Sequence, residues 1–220
     1  MAGEDKYEIA TRYWHEEPKG FSDAYRFSFN PVRLAAKVFL DQRTAQVKQL
    51  IDLRPSSVVA DIGCGSGEII DWMAARSKFV HGIDISEAMV ETARTNVHSS
   101  NVELRVSDCA PIPLADASAD RVVCLGVLDY LLDPLEFCRE LARITRAGGL
   151  VLVTAPKNPS LFMFLRWSTA FRRGVSGMPP IVSILDRGEM EKVLRDSGLE
   201  PVRLGSIWTT MWLAVARKPA

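Results

Sequence analysis

The period of the apolar positions changes part-way along the chain. Before Pro55 they recur at helical spacing, as in Leu34, Ala35, Val38 and Phe39 and then Val47, Leu50 and Ile51. Beyond it they gather into short runs. Val58–Ile62, Phe79–Asp84, Val102–Val106, Arg121–Leu125 and Gly149–Thr154 read as five strands. Helices are expected between them over Glu68–Arg76, Ser86–Val97 and Pro134–Arg146, with Ser86 as an N-cap and Pro134 in a first turn. Most of the strands are near-continuously apolar, which indicates a parallel sheet covered on both faces. The end differs. A helix over Arg187–Ser197 precedes two runs, Val202–Ile207 and Met211–Ala216, joined too tightly for a parallel crossover, so they should pair antiparallel.

Composition narrows the class. A length of 220 residues, 47% hydrophobic and 25% charged, fits one globular domain and excludes a disordered chain. The 27 bases and 27 acids cancel, which argues against a nucleic-acid partner. The cancellation is uneven: residues 1–140 hold 22 acids and 15 bases (net −7), 141–185 hold six bases and no acid (+6), and 186–220 hold five acids and six bases (+1). Cys64, Cys109, Cys124 and Cys138 show no metal or redox spacing, so no metal is expected. The polar start, Met1 to Lys6, is unlike a signal peptide, and no run approaches the ~20 apolar residues that span a bilayer. A cytoplasmic protein without stable membrane insertion is expected, as monomer or homodimer.

The first strand runs into Asp61-Ile62-Gly63-Cys64-Gly65-Ser66-Gly67-Glu68. Three glycines permit a tight turn and a close ligand approach, and the next helix offers its free N–H groups there. This strand–turn–helix junction is where open α/β sheets bind ligands. Asp84 ends the second strand, where a carboxylate can accept both hydroxyls of a ribose. Asp108 follows the third, where one can accept an adenine amine.

Asp-x-Gly-x-Gly-x-Gly at 61–67 resembles the first motif of class I S-adenosylmethionine-dependent methyltransferases. Gly82–Met89, Pro111–Leu114 after Asp108, Asp120–Val123 and Leu141–Gly149 resemble later segments of that family, so the likeness spans about residues 55–217. Tyr7–Trp14 is similar to the capping helix of its small-molecule subgroup, the type 11 enzymes typified by ubiquinone and menaquinone methyltransferases. The resemblance implies a Rossmann-like, doubly wound α/β domain. Its seven-stranded sheet would be mostly parallel, with an antiparallel C-terminal strand and an N-terminal helical cap. A single domain, 1–220, would divide into a cap (1–54), a cofactor-binding core (55–155), an acceptor lid (156–186) and a closing helix with strands (187–220). The implied cofactor is S-adenosylmethionine, with S-adenosylhomocysteine as product. Gly63, Cys64, Gly65 and Gly67 would form its loop. Asp61 would hold the amino group, Asp84 the ribose, Ile85 and Met89 the adenine face, and Asp108 and Cys109 the adenine edge. Leu125 would offer its carbonyl, and Tyr7 and Tyr13 would close over the carboxylate.

For the acceptor, a small molecule, the candidates are His15 in the cap and Asp129 and Tyr130 after the fourth strand, as catalytic or contacting groups. His81, inside a strand, reads as structural. The Asn/Asp-Pro-Pro-Tyr signature of nucleobase and glutamine N-methyltransferases is replaced by Gly126-Val127-Leu128-Asp129. The basic segment can form a helix from Ser160 to Arg173 with Met163, Phe164, Trp167 and Phe171 on one face and Arg166 away from it. Such a helix either packs its apolar face on the domain with its arginines in solvent or serves as a lid that favours a lipophilic or anionic acceptor; O-methylation is expected over N- or C-methylation. A short likeness to magnesium-protoporphyrin O-methyltransferases lies in Val123–Leu128 and Ala155–Lys157. Two rivals remain. One is a nicotinamide-dependent oxidoreductase, whose Gly-x-Gly-x-x-Gly would need glycine at Glu68. The other is a non-catalytic module that binds S-adenosylmethionine.

Overall fold

The structure, a computed structural model, describes residues 12–13, 31–108, 110–158 and 181–220. Residues 12–13 are helical. Helix α1 (Pro31–Leu50) is followed by β1 (Val58–Ile62), α2 (Ile70–Ala74), β2 (Phe79–Asp84), α3 (Glu87–Asn96), β3 (Val102–Val106) and β4 (Ala119–Cys124). A 3-10 turn (Leu128–Tyr130) leads to α4 (Pro134–Ile144), β5 (Thr145–Pro156), α5 (Arg187–Asp196), β6 (Glu200–Ile207) and β7 (Met211–Arg217). The sheet order is β3-β2-β1-β4-β5-β7-β6, and β7 alone runs against its neighbours. This is the expected mostly parallel sheet with an antiparallel end.

Both sheet faces are covered because strand residues alternate sides. Val59, Val123 and Leu152 pack with Val47 of α1, Ile51 just beyond it, and Ile70 and Met73 of α2. Their neighbours Ala60, Val122, Val151 and Val153 pack with Phe137 and Leu141 of α4 and Met190 and Leu194 of α5. Local capping sets the helix starts. The Ser86 side chain accepts from the Met89 N–H. Asp133 accepts from the Leu135 and Glu136 N–H groups, with Pro134 next to it. Asp186 and Glu189 form a reciprocal capping box at α5.

Several boundaries move from the expected ones. β4 starts at Ala119, and α4 stops at Ile144 because β5 starts at once, at Thr145. Gly148 has φ +73° within a pairing irregularity against β4, so the early part of β5 has no continuous apolar signature. β6 begins at Glu200, an edge position whose polar residues hid it. The helix after the glycine turn is short, Ile70–Ala74. Arg121, buried at β4, donates to the Ile51 and Asp52 carbonyls and to the Asp52 carboxylate, tying the end of α1 to the sheet. His81 is structural, half-buried beside Glu103 at 3.2 Å and against the Phe79 ring. Among the described residues no helix is long and apolar enough to cross a membrane.

Candidate functional site

The signature positions converge at the carboxyl ends of the central strands. Asp61 lies in β1, Asp84 closes the adjacent β2, and Leu125 follows β4 on the other side of β1. Beyond Ile62 the chain turns back on β2: the Gly63 and Cys64 N–H groups donate to the Ile83 carbonyl at 2.8 and 3.1 Å. Gly63 has φ +76°, and a Cβ there would lie 2.2 Å from Val127 Cγ2. Gly65 has φ +54°, and a Cβ would meet no atom within 4 Å. Gly63 is therefore demanded by both backbone and packing, whereas Gly65 leaves open space beside the turn.

Two main-chain donors fix Asp84. Gly65 N–H reaches Oδ2 at 2.8 Å and Ser86 N–H reaches Oδ1 at 2.9 Å. Burial still raises this carboxyl above its ordinary range, and the backbone N–H groups of Ser86, Gly65 and Ile85 oppose that rise. Each oxygen keeps a further lone pair, which suits a diol. Asp61 is more extreme. It is 3% exposed, and its carboxyl is pushed up to about 7 by loss of water first and the Asp84 charge second, against the pull of Arg43.

Asp61, Gly63, Cys64, Gly65, Ser66, Glu68, Ile69 and Leu125 surround a single cleft, closed on the α1 side by Arg43 and Thr44. Sequence reasoning missed those two. Arg43 is buried, and a Cβ at Gly126 would lie 3.4 Å from its Nη1, so the guanidinium reaches the end of β4. The available signal was position: Arg43 interrupts the buried stripe of Leu40, Val47 and Ile51, where a charge needs a reason. A desolvated carboxylate favours a cation and a buried guanidinium an anion. Together they complement a group that carries both charges, while the Asp84 oxygens can still accept from hydroxyls.

The other expected residues among those described do not line that cleft. Ile85 is half-buried, and Met89 is buried on α3. Gly67 has φ +81° and faces Val97 and Ala93. Asp108 is exposed beyond β3, where the Ser107 N–H donates to the Asp84 carbonyl at 3.0 Å. Asp129 is buried in the 3-10 turn, and its carbonyl accepts from the N–H groups of Val182 at 2.8 Å and Ser183 at 3.2 Å. Tyr130 and Tyr13 are half-buried. Tyr7, His15, Cys109, Phe164, Arg166, Trp167 and Phe171 lie outside the described residues, as does the helix expected from Ser160 to Arg173.

A family model described as a methyltransferase domain matches residues 60–153. A ubiquinone biosynthesis O-methyltransferase of Hahella chejuensis is 30% identical over 198 residues, covering 87% of this chain and 74% of that protein. The enzyme of the same description from Pseudomonas paraeruginosa is 28% identical over 200 residues, covering 88% and 77%. Among solved structures, magnesium protoporphyrin IX methyltransferase from Synechocystis PCC 6803, with S-adenosylhomocysteine bound, superposes with a TM-score of 0.76. It is 21% identical and covers 97% of this chain and 100% of that one, a likeness of fold.

Proposed function

Because the chain belongs to the class I S-adenosylmethionine-dependent methyltransferases that act on small molecules, we propose that it methylates an oxygen of a lipophilic, anionic acceptor. The membership sets aside both the nicotinamide oxidoreductase and the non-catalytic module. The observation that carries the choice of oxygen is the likeness, over most of the chain, to O-methyltransferases of ubiquinone biosynthesis. Gly126-Val127-Leu128-Asp129 after β4, in place of the N-methyltransferase signature, agrees with it.

The cleft residues fit the cofactor. Asp61 is a carboxylate in need of a cation, Arg43 supplies the complementary positive charge, and both of the Asp84 oxygens are oriented by backbone donors. When bound, S-adenosylmethionine supplies an activated methyl on a sulfonium. The protein's part is then positional. Asp61 and Arg43 hold the amino-acid end, and Asp84 holds the ribose. The glycine turn removes side chains that would block approach. Asp129 and Tyr130, next to β4, contact the acceptor, and His15 accepts the hydroxyl proton where one must leave. The basic residues of 141–185 favour the acceptor's negative charge.

The test is label transfer from methyl-labelled S-adenosylmethionine to a matched set of acceptors. These are a polyprenylated catechol, its short-tailed analogue, a tetrapyrrole carboxylate and an aromatic amine. Label on oxygen, with a lower KM for long-tailed or acidic acceptors, is expected. Transfer only to nitrogen or carbon would overturn the oxygen assignment. An unchanged acceptor KM after Arg166→Gln and Arg172→Gln would remove the anionic part.

A further inference from the structure

The β6–β7 turn carries a residue for which the cofactor cleft gives no direct use. Trp208 has φ +50°, a left-handed conformation costly for a bulky side chain and normally left to glycine or asparagine. It is 44% exposed, so burial does not force it there. Its ring meets the Phe39 ring of α1 nearly edge to face, with centroids 5.6 Å apart and planes at 66°. Phe39 precedes Arg43 by four residues, one helical turn along the same face. Arg43 is the buried cation that closes the cleft. The turn's other end is fixed to the sheet: the Lys157 N–H, just beyond β5, donates to the Thr210 carbonyl at 3.0 Å.

We propose that Trp208 is a positioning residue for cofactor binding, holding α1 through Phe39 so that Arg43 stays in the cleft. The left-handed backbone turns the indole onto α1, and the aromatic contact offsets its cost. The inference rests on the cofactor cleft and is independent of which acceptor atom is methylated. Glycine at this position would relieve the backbone while deleting the contact, which separates binding from folding.

The experiment uses the full chain and calorimetric titration with S-adenosylhomocysteine. W208G should keep a melting temperature near that of the wild type and weaken binding about fivefold, the order expected for loss of one aromatic contact. W208F should restore affinity to within about twofold of wild type. In an Arg43→Gln background, W208G should cause no further loss, because both changes act on the same group. Wild-type affinity in W208G, full additivity with Arg43→Gln, or no rescue in W208F would each overturn the proposal. If W208G does not fold, Phe39→Leu makes the same cut from the α1 side. Unchanged binding there overturns the proposal equally.

Discussion

Replacing Asp61 by asparagine should make the ligand-free protein more stable at pH 8 while crippling its affinity for the cofactor. Asp61 is buried in β1, and its carboxyl is pushed from the ordinary 3.8 to about 7. A folded-state value above the unfolded one means that the folded protein holds the proton more tightly. The associated stability is fully present below about pH 4. It falls as pH rises through about 7 and is absent above that. The span corresponds to roughly 4 kcal/mol of penalty on the ionised carboxylate. The asparagine amide is itself buried and recovers only part of this, about 2 kcal/mol. For a chain of this size that is about 4–8 °C in melting temperature. The assay is thermal unfolding of both proteins from pH 5 to 8.5, with and without S-adenosylhomocysteine. The difference between the curves isolates Asp61 from the carboxylates of Asp71, Glu103, Asp120 and Glu140, which are shifted the other way. The variant's advantage should grow between pH 5 and 8. Wild-type affinity for the ligand should improve over the same interval, because the carboxylate must ionise to meet an ammonium group. The variant should bind at least about tenfold more weakly at pH 8 and show no such trend. Parallel unfolding profiles, or wild-type affinity in the variant, would refute the reasoning.

Four further outcomes are expected. Gly63→Ala, with its Cβ 2.2 Å from Val127 Cγ2, should destabilise the fold and abolish ligand binding. Gly65→Ala meets no atom and should cost only the roughly 1–2 kcal/mol of its left-handed backbone, yet still weaken binding; urea unfolding and calorimetry separate the two. Arg143→Lys should lower stability by about 1–3 kcal/mol in urea unfolding, since lysine cannot hold Glu140, Asp116 and the Ile112 and Leu114 carbonyls together. Cys138, buried with its thiol pushed up to about 12, should escape maleimide labelling in the native state by mass spectrometry and react on unfolding.

The strands β1, β2 and β3 were legible to the residue because β1 and β2 are largely apolar runs and β3 alternates apolar with polar residues, each closed by a turn or a capping group. Ser86 was legible as a cap for the same local reason. β4 and β5 were less so. Their early residues, Asp120 and Arg146 among them, are polar for a tertiary purpose: the Asp120 carboxylate accepts from the Val58 N–H at 2.7 Å and from Arg146 at 2.9 Å. Such a residue reads as surface until its distant partner is known. Asp61 and Asp84 were found through the spacing of the glycine motif, but the depth of Asp61 was not, because burial depends on α1 closing over it. Arg43 was lost for the converse reason. A single charge in an apolar helical stripe has no motif, and only the cleft explains it.

The two stretches of chain that flank residues 159–180 are joined to each other as a closed stem. Lys157 and Leu185 form a parallel bridge, the Asn158 N–H donates to the Leu185 carbonyl at 3.1 Å, and the Trp212 indole N–H donates to that same carbonyl at 2.9 Å. Where two points of a chain are already joined, the length of chain between them matters little, since doubling a connection costs only about 0.6 kcal/mol. The sheet and the cleft at its carboxyl edge thus tolerate changes in the length of chain between the two sides of the stem.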